Sequence, residues 1–330
     1  MVAKVITKDV PLYLEEIGTT AAVETVQVQA QVSGQIVARE FQDGAEVKKG
    51  DLLFRIDPRP YEAVLASAKA DLALAQANLK RQMELQAKNV TASQELDTTR
   101  ASAMRTEAAV ASAQVNLDFC SIRSPIDGRA GLRHVDVGNV VGPGGPSLLM
   151  IQGLDPIYTD FTVAEPDLPL VRRYLTNPNL KVMTDAADDD VEPRLGDLYF
   201  IDNAVQPGAG TVKLRAVTPN QDRALWPSQF VKVRLILDNL KDSMLVPSGA
   251  VQIGQNGPYV FVVKADSTLD LRKVKQGQTH DDLTVISEGV KPGENVVVSG
   301  QLQLAPGAKV NPKEVEPARE GSSLSRASTR

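Results

Sequence analysis

The chain has 330 residues, too many for one ordinary compact domain, so two or more domains are expected. Its 36 basic and 41 acidic side chains leave a net charge of −5, which excludes the basic footprint that a nucleic-acid binder lays along phosphates. One cysteine, Cys120, and two histidines, His134 and His280, exclude an internal disulfide and a Cys-rich metal cluster, and no cofactor or transition-metal site is expected.

Met1-Val2-Ala3-Lys4-Val5 opens the chain without the apolar run of a signal peptide. No later segment approaches the roughly 18 consecutive apolar residues of a membrane span. Thr25-Val26-Gln27-Val28-Gln29 alternates apolar and polar residues and predicts a strand. Gly34, Ile36, the Asp43-Gly44 turn, Val47 and Leu52-Leu53 follow, and then Asp57-Pro58-Arg59-Pro60 supplies a cap and first-turn prolines for a helix.

No glycine or proline occurs from Tyr61 to Ser124, although the chain carries 23 and 20 of them. Inside this stretch Leu65, Leu72 and Leu79 recur at heptad spacing, with Ala68 and Ala75 at the three-residue offset. Leu96, Ala103, Val110 and Leu117 repeat the device, offset by Thr99, Thr106 and Ala113. Alternating large and small residues along two seams predict two helices packed along their length. Between them Lys88-Asn89-Val90-Thr91-Ala92-Ser93 is a short connection, and Thr91 with Gln94 fits a capping box. A short connection makes the helices antiparallel neighbours, a coiled-coil hairpin.

After the hairpin the first pattern returns: Gly128, Ala130, Gly138, Val141 and Leu148-Leu149, with ten residues from glycine to glycine in both copies. The two segments read as equivalent halves of one β-sandwich interrupted by the hairpin. Everything beyond reads as strands, such as Lys232-Val233-Arg234-Leu235, broken by turns such as Asn256-Gly257-Pro258. The fold class is therefore mainly β with a helical hairpin, elongated and multidomain.

Val32-Ser33-Gly34-Gln35-Ile36 and Asp43-Gly44-Ala45-Glu46-Val47-Lys48-Lys49-Gly50-Asp51-Leu52-Leu53 resemble the biotinyl/lipoyl domain pattern. Such a domain split by a hairpin is similar to the membrane fusion, or periplasmic adaptor, family. The likeness continues through Cys120-Ser121-Ile122-Arg123-Ser124-Pro125-Ile126-Asp127-Gly128-Arg129, Asp155-Pro156-Ile157-Tyr158, the stretch from Phe200 to Thr211, Pro227-Ser228-Gln229-Phe230-Val231-Lys232-Val233 and Val246-Pro247-Ser248-Gly249-Ala250. Within the family the short hairpin resembles adaptors of resistance-nodulation-division (RND) efflux pumps.

The resemblance implies four parts built out and back along the chain. Residues 1–8 with 245–312 form a membrane-proximal β-domain, and 9–22 with 152–244 a β-barrel. Residues 23–57 with 119–151 form the lipoyl-like sandwich, 58–118 the helical hairpin, and 313–330 a disordered tail. It implies a periplasmic, inner-membrane-associated protein that is not an enzyme and that joins an RND transporter to a TolC-type outer-membrane channel, self-associating as a hexamer. The family's export signal and lipidated cysteine are missing from this sequence, so the chain is expected to be the soluble part of a longer exported protein. The family's hairpin-tip pattern of Arg, Leu four residues on and Ser seven further places Arg81 and Leu85 at the first two positions. Its third position falls on Ala92, between Thr91 and Ser93, and these five residues are the candidates for channel docking.

Two rival functions have their own residues. An acyl carrier needs a lysine displayed between the sandwich halves, where the hairpin stands instead, and Lys48 and Lys49 occupy a different turn. A nearer rival is an adaptor for an ABC-type exporter, which co-purification with one transporter class would decide. Gly208-Ala209-Gly210 lacks the following helix of a nucleotide site and reads as a turn. Asp188-Asp189-Asp190 lacks the alternating order of a calcium loop and reads as solvated. His134 reads as lying in a strand-like run, His280 in a polar turn, and Cys120 as a small buried hydrophobe.

Overall fold

The computed structural model describes the chain except residues 88–92, 187–190, 256, 265–266, 281, 302–306, 312 and 314–330. In chain order the strands and helices begin with β1 (Val2–Lys4), β2 (Ile6–Val28), β3 (Gly34–Arg39), β4 (Glu46–Val47), β5 (Leu52–Ile56), α1 (Arg59–Ala87) and α2 (Ser93–Asp118). There follow β6 (Ser121–Arg123), β7 (Gly128–Ala130), β8 (Val140–Val141), β9 (Leu149–Ala164), α3 (Leu168–Tyr174), β10 (Lys181–Ala186), β11 (Arg194–Gln206), β12 (Thr211–Thr218) and β13 (Phe230–Pro247). The last are β14 (Gln252–Gly254), β15 (Gly257–Val263), β16 (Leu269–Lys273), β17 (Lys275–His280), β18 (Leu283–Glu288) and β19 (Asn295–Val297).

One strand runs through most of the molecule. β2 pairs antiparallel with β13 from Ile6 opposite Leu245 to Thr19 opposite Phe230. It pairs with β9 from Gly18 opposite Phe161 to Val28 opposite Leu149. At about 3.3 Å per residue its 23 residues reach ~75 Å. Register shifts interrupt it between Ala22 and Glu24, opposite β9, and β13 slips against it between Leu240 and Ser243. Bulges of this kind bend and twist a ladder, so one strand can enter successive cores at different angles.

Its middle closes a barrel in the order β13, β10, β11, β12, β9, β2 and back to β13. Closure removes free edges. Along β12 every second residue is buried, and Val212, Leu214 and Ala216 join Ile157, Phe161, Val233 and Leu235 in the barrel core. Thr159, Thr184 and Thr218, all buried, bond one another through their hydroxyls at 3.0, 3.1 and 3.2 Å. Strands are not the whole of this region, because α3 packs its buried Val171 into the same core. The prolines of Glu165-Pro166-Asp167-Leu168-Pro169 and a run of 7 residues leave too little periodicity to reveal it.

Toward the hairpin, β6, β5, β3 and β8 form one sheet of the sandwich, facing the ladder of β4, β7 and β9. Ile36, Leu53, Phe54, Ile56, Leu149 and Ile151 fill the space between, and Phe41 meets Phe54 edge-on at 5.2 Å. At the other end β1, β19, β15, β14 and β16 make a sheet, with Val246, Val260, Val262 and Val296 in its core. The predicted tail lies outside the described residues except Lys313.

Candidate functional site

The hairpin grows from a fixed base. The Arg59 amide donates to Asp57 Oδ1 at 3.1 Å and caps the first turn of α1, whose start Pro58 and Pro60 suit. The Arg59 guanidinium also grips the Asp57 carboxylate, and these hydrogen bonds hold that carboxyl below its usual range. Tyr61 donates its hydroxyl to the Ser33 carbonyl at 2.6 Å, so the first turn is pinned to the sandwich. At the return, Cys120 is buried in the sandwich core and its carbonyl accepts from the Ile56 amide at 2.8 Å. Burial, then the charges of Asp57 and Glu62, push the Cys120 thiol up, which keeps it an unreactive packing group.

From this base α1 runs 29 residues, about 43 Å at 1.5 Å per residue. Leu65, Ala75, Leu96, Ala103 and Ala113 are buried between the helices, and Ala68, Leu72, Leu79, Thr99, Thr106, Val110 and Leu117 are half-buried in the same line. A threonine can sit in such a seam because its hydroxyl bonds back along the helix. Thr99 donates to the Glu95 carbonyl at 2.8 Å and Thr106 to the Ala103 carbonyl at 2.9 Å.

Near the far end the structure brings Arg81 and Leu85 together on one face, four residues apart. Both are exposed, and among the described residues the Arg81 guanidinium bonds its neighbour Asn78, at 3.4 Å. Thr91 and Ala92 lie outside the described residues, as does the rest of the connection and its capping box. Ser93 opens α2, and its side chain is outside them too. The packed pair of helices thus presents the exposed Arg81 guanidinium and an exposed leucine about 30 Å or more from the sandwich.

The other singled-out residues are placed as follows. Lys48 and Lys49 are exposed in a turn whose amides donate to Asp51 and Asp127 at 2.7 Å. Gly208 and Gly210 take positive φ of 87° and 60° in the turn between β11 and β12. His134 lies in a loop rather than a strand, its Nδ1 3.1 Å from the Ser147 carbonyl. His280 ends strand β17 rather than sitting in a turn, with Nε2 2.8 Å from the Pro11 carbonyl and its ring against Tyr13. Asp188, Asp189 and Asp190 lie outside the described residues. Among the described residues no group of three or more His, Cys, Asp or Glu could hold a metal, and no helix is long and apolar enough to cross a membrane.

The sequence reading missed the joint between sandwich and barrel. The loop from β12 to β13 carries Asn220, fully buried, whose amide donates to the Leu154 and Leu225 carbonyls at 2.9 Å. Its Oδ1 accepts from Leu225 and Arg194 at 3.0 and 2.9 Å. Arg223 stands 3.4 Å from Asp155 of the barrel and 3.5 Å from Glu46 of the sandwich, while Arg129 of the sandwich lies 4.9 Å above the Trp226 ring. The one available signal was Trp226, the single tryptophan, placed just before Pro227.

Comparisons with known proteins cover both parts. Residues 24–152 match the RND membrane fusion protein barrel-sandwich hybrid domain, 156–239 the RND beta-barrel domain and 242–303 the RND C-terminal permuted SH3 domain. The multidrug resistance protein MdtA of Proteus mirabilis is 36% identical over 319 residues, covering 92% of this chain and 78% of that protein. The Escherichia coli K12 protein of the same name is 36% identical over 333 residues, with 96% and 80% covered. A crystal structure of a MacA-MexA chimeric protein containing the Pseudomonas aeruginosa MexA alpha-hairpin domain is similar, with a TM-score of 0.68, 25% identity and coverage of 90% of this chain and 99% of that one. MacA from Actinobacillus actinomycetemcomitans shares the fold at a TM-score of 0.54 and 22% identity, over 90% of this chain and 99% of that one.

Proposed function

The chain belongs to the RND membrane fusion proteins, and from that premise we propose that it is the periplasmic adaptor of an RND-type multidrug efflux pump. Its β-domains contact an RND transporter at the inner membrane, and its hairpin tip meets a TolC-type channel of the outer membrane. Several copies, six in the full pump, complete the conduit. The protein does this without catalysis: the transporter supplies the energy and the adaptor supplies reach and fit.

The observation that carries this reading is the exposed pair of Arg81 and Leu85 at the end of a hairpin whose inner faces are already packed. The flanks facing the seam are committed, so the tip is where a helical partner can be met end-on. Arg81 offers charge-assisted hydrogen bonds to carbonyls or carboxylates at such a junction, and Leu85 offers apolar contact. The transporter side is testable separately. The chain, exported in a Gram-negative host, is expected to co-purify an RND transporter, and recovery of an ABC-type exporter in its place contradicts the reading.

A further inference from the structure

The sheet at the end opposite the hairpin runs β1, β19, β15 and β16, an order that by itself leaves the outer sides of β1 and β16 unpaired. Residues 307–311 with Lys313 fill that gap. The Gly307 and Val310 amides donate to the Leu269 and Ser267 carbonyls at 2.9 and 3.0 Å, and the Leu269 amide donates to the Ala308 carbonyl at 3.1 Å. On the far side the Val2 amide donates to the Lys313 carbonyl at 2.9 Å. The first strand of the chain is thus gripped between β19 and Lys313.

The two faces of β15 enter separate cores. Val260 and Val262 join Val246 and Val296 in the main core at this end. Tyr259, Phe261 and Val263 belong to a second cluster with Val2, Leu269 and Val297, in which Tyr259 and Phe261 meet edge-on at 5.6 Å. Ala308 and Val310 pack onto this second cluster, and both are small and only half-buried. Lys309, Asn311 and Lys313 are exposed, and among the described residues their side chains make no hydrogen bond or ion pair. Four backbone bonds and two small side chains are a weak hold against the conformational entropy of ordering such a stretch. The main core lies on the other face of β15, so the stretch can leave without opening it.

We propose that residues 307–311 with Lys313 are a releasable strap, whose seating decides whether β1 is held on both sides and the second cluster is covered. Seated, the strap closes the sheet into a ring of β1, β19, β15, β16 and itself. Lifted, it leaves β1 and β16 as unpaired edges beside an apolar face, an arrangement that accepts an added strand. The occupant of that place is the strap of the same chain, since its bonds to Leu269 and Val2 are made within one chain. Touching both edges, it couples the two ends of the chain: what happens beside β16 is felt at Val2. The strap needs neither transporter nor channel, so it stands or falls apart from the adaptor reading.

Amide exchange of the full chain, followed by NMR, tests this. A strap that opens as a unit is expected to let the Val2, Leu269 and Val310 amides exchange at a common rate, on the order of tenfold or more faster than those of Val262 and Val296. A cross-link then tests the coupling. Thr268 and Lys309 are antiparallel partners, and the bonds flanking them make theirs the close, non-hydrogen-bonded kind of pair, with Cα atoms about 4.5 Å apart and within reach of a disulfide. In the double variant Thr268→Cys with Lys309→Cys, oxidation is expected to slow exchange at Val2 by about tenfold or more, and reduction to restore it. Val310→Asp is expected to speed exchange at Val2 and leave Val262 and Val296 unchanged. The unmodified protein, with Cys120 buried, is the control for the oxidant. A folded double variant that does not close its disulfide overturns the proposal, and so does a closed one whose Val2 exchange is unmoved. Faster exchange of Val262 and Val296 together with Val2 in Val310→Asp also overturns it, because the strap is then part of the main core. Dimers that form only when the two single variants are mixed and oxidised overturn it as well, since the strap then seats on a second copy.

Discussion

Gly34 faces Val141 across β3 and β8, and the relationship returns with the halves exchanged: Gly128 faces Val47 across β7 and β4. The exchange extends to single hydrogen bonds. The Ile36 amide donates to Asn139 and the Gly138 amide to Ile36, while the Ala130 amide donates to Ala45 and the Gly44 amide to Ala130. The sandwich is therefore two interlocked copies of one turn-and-strand unit, and the hairpin departs where the first copy ends. Both turn glycines take positive φ, 80° at Gly44 and 101° at Gly138.

That symmetry makes a stability prediction. A Cβ at Gly138 meets nothing within 4 Å, so Gly138→Ala adds only backbone strain, about 1–2 kcal/mol. At Gly34 a Cβ comes 2.5 Å from Ile56 Cγ2, whose side chain is fully buried, so Gly34→Ala should cost more. Denaturant unfolding of the two variants gives the order.

The joint between sandwich and barrel should be sensitive at one residue above all. Asn220→Ala removes a side chain that satisfies four partners and leaves buried backbone groups unpaired, an expected loss of about 2–4 kcal/mol. Arg223→Ala breaks two part-exposed ion pairs and one hydrogen bond to the Asn220 carbonyl at 3.2 Å, and should cost less, about 1 kcal/mol. Equal losses in the two variants would contradict this account of the joint.

Glu16 supplies a pH signature. Burial, and then the charge of Asp167, raise its carboxyl above the usual 4.5. An acid raised on folding favours the protonated folded state, so its contribution falls as pH rises through 4.5 toward the higher folded value, and stays low above it. Glu16→Gln should therefore stabilise the protein at neutral pH and lose that advantage below 4.5. Chemical denaturation at the two pH values reads the difference.

The hairpin divides into packed and open faces. Leu96→Ala opens a void in the seam and should cost about 2–3 kcal/mol with a loss of helicity. Met104→Ala, on the exposed edge, should stay within about 0.5 kcal/mol in the isolated chain. Circular dichroism during thermal unfolding separates them.

What was legible in the sequence was local and periodic. The glycine- and proline-free run with leucines at heptad spacing announces two helices, and Leu65, Leu96 and Ala103 lie buried between them. Matched glycines announce the paired turns, because only glycine enters positive φ freely. The joint was not legible, since Asn220, Arg223 and Trp226 meet Leu154, Glu46 and Arg129 only after β2, β9 and β13 have set their register. Helix α3 was hidden for another reason: its 7 residues show too little of one helical face. At the tip Arg81 and Leu85 lie together on one exposed face, whereas Thr91 and Ala92 fall outside the described residues.

The central claim, that the hairpin tip joins this adaptor to an outer-membrane channel, is tested most directly by efflux. Arg81→Asp and Leu85→Ser are introduced into an exported form of the chain and expressed in a strain lacking the native adaptor. Losing one interface anchor costs about 1–3 kcal/mol per copy, multiplied around a ring, so both variants should fail to restore drug efflux while keeping their expression and helicity. Full restoration of efflux by both folded variants would contradict docking through the tip.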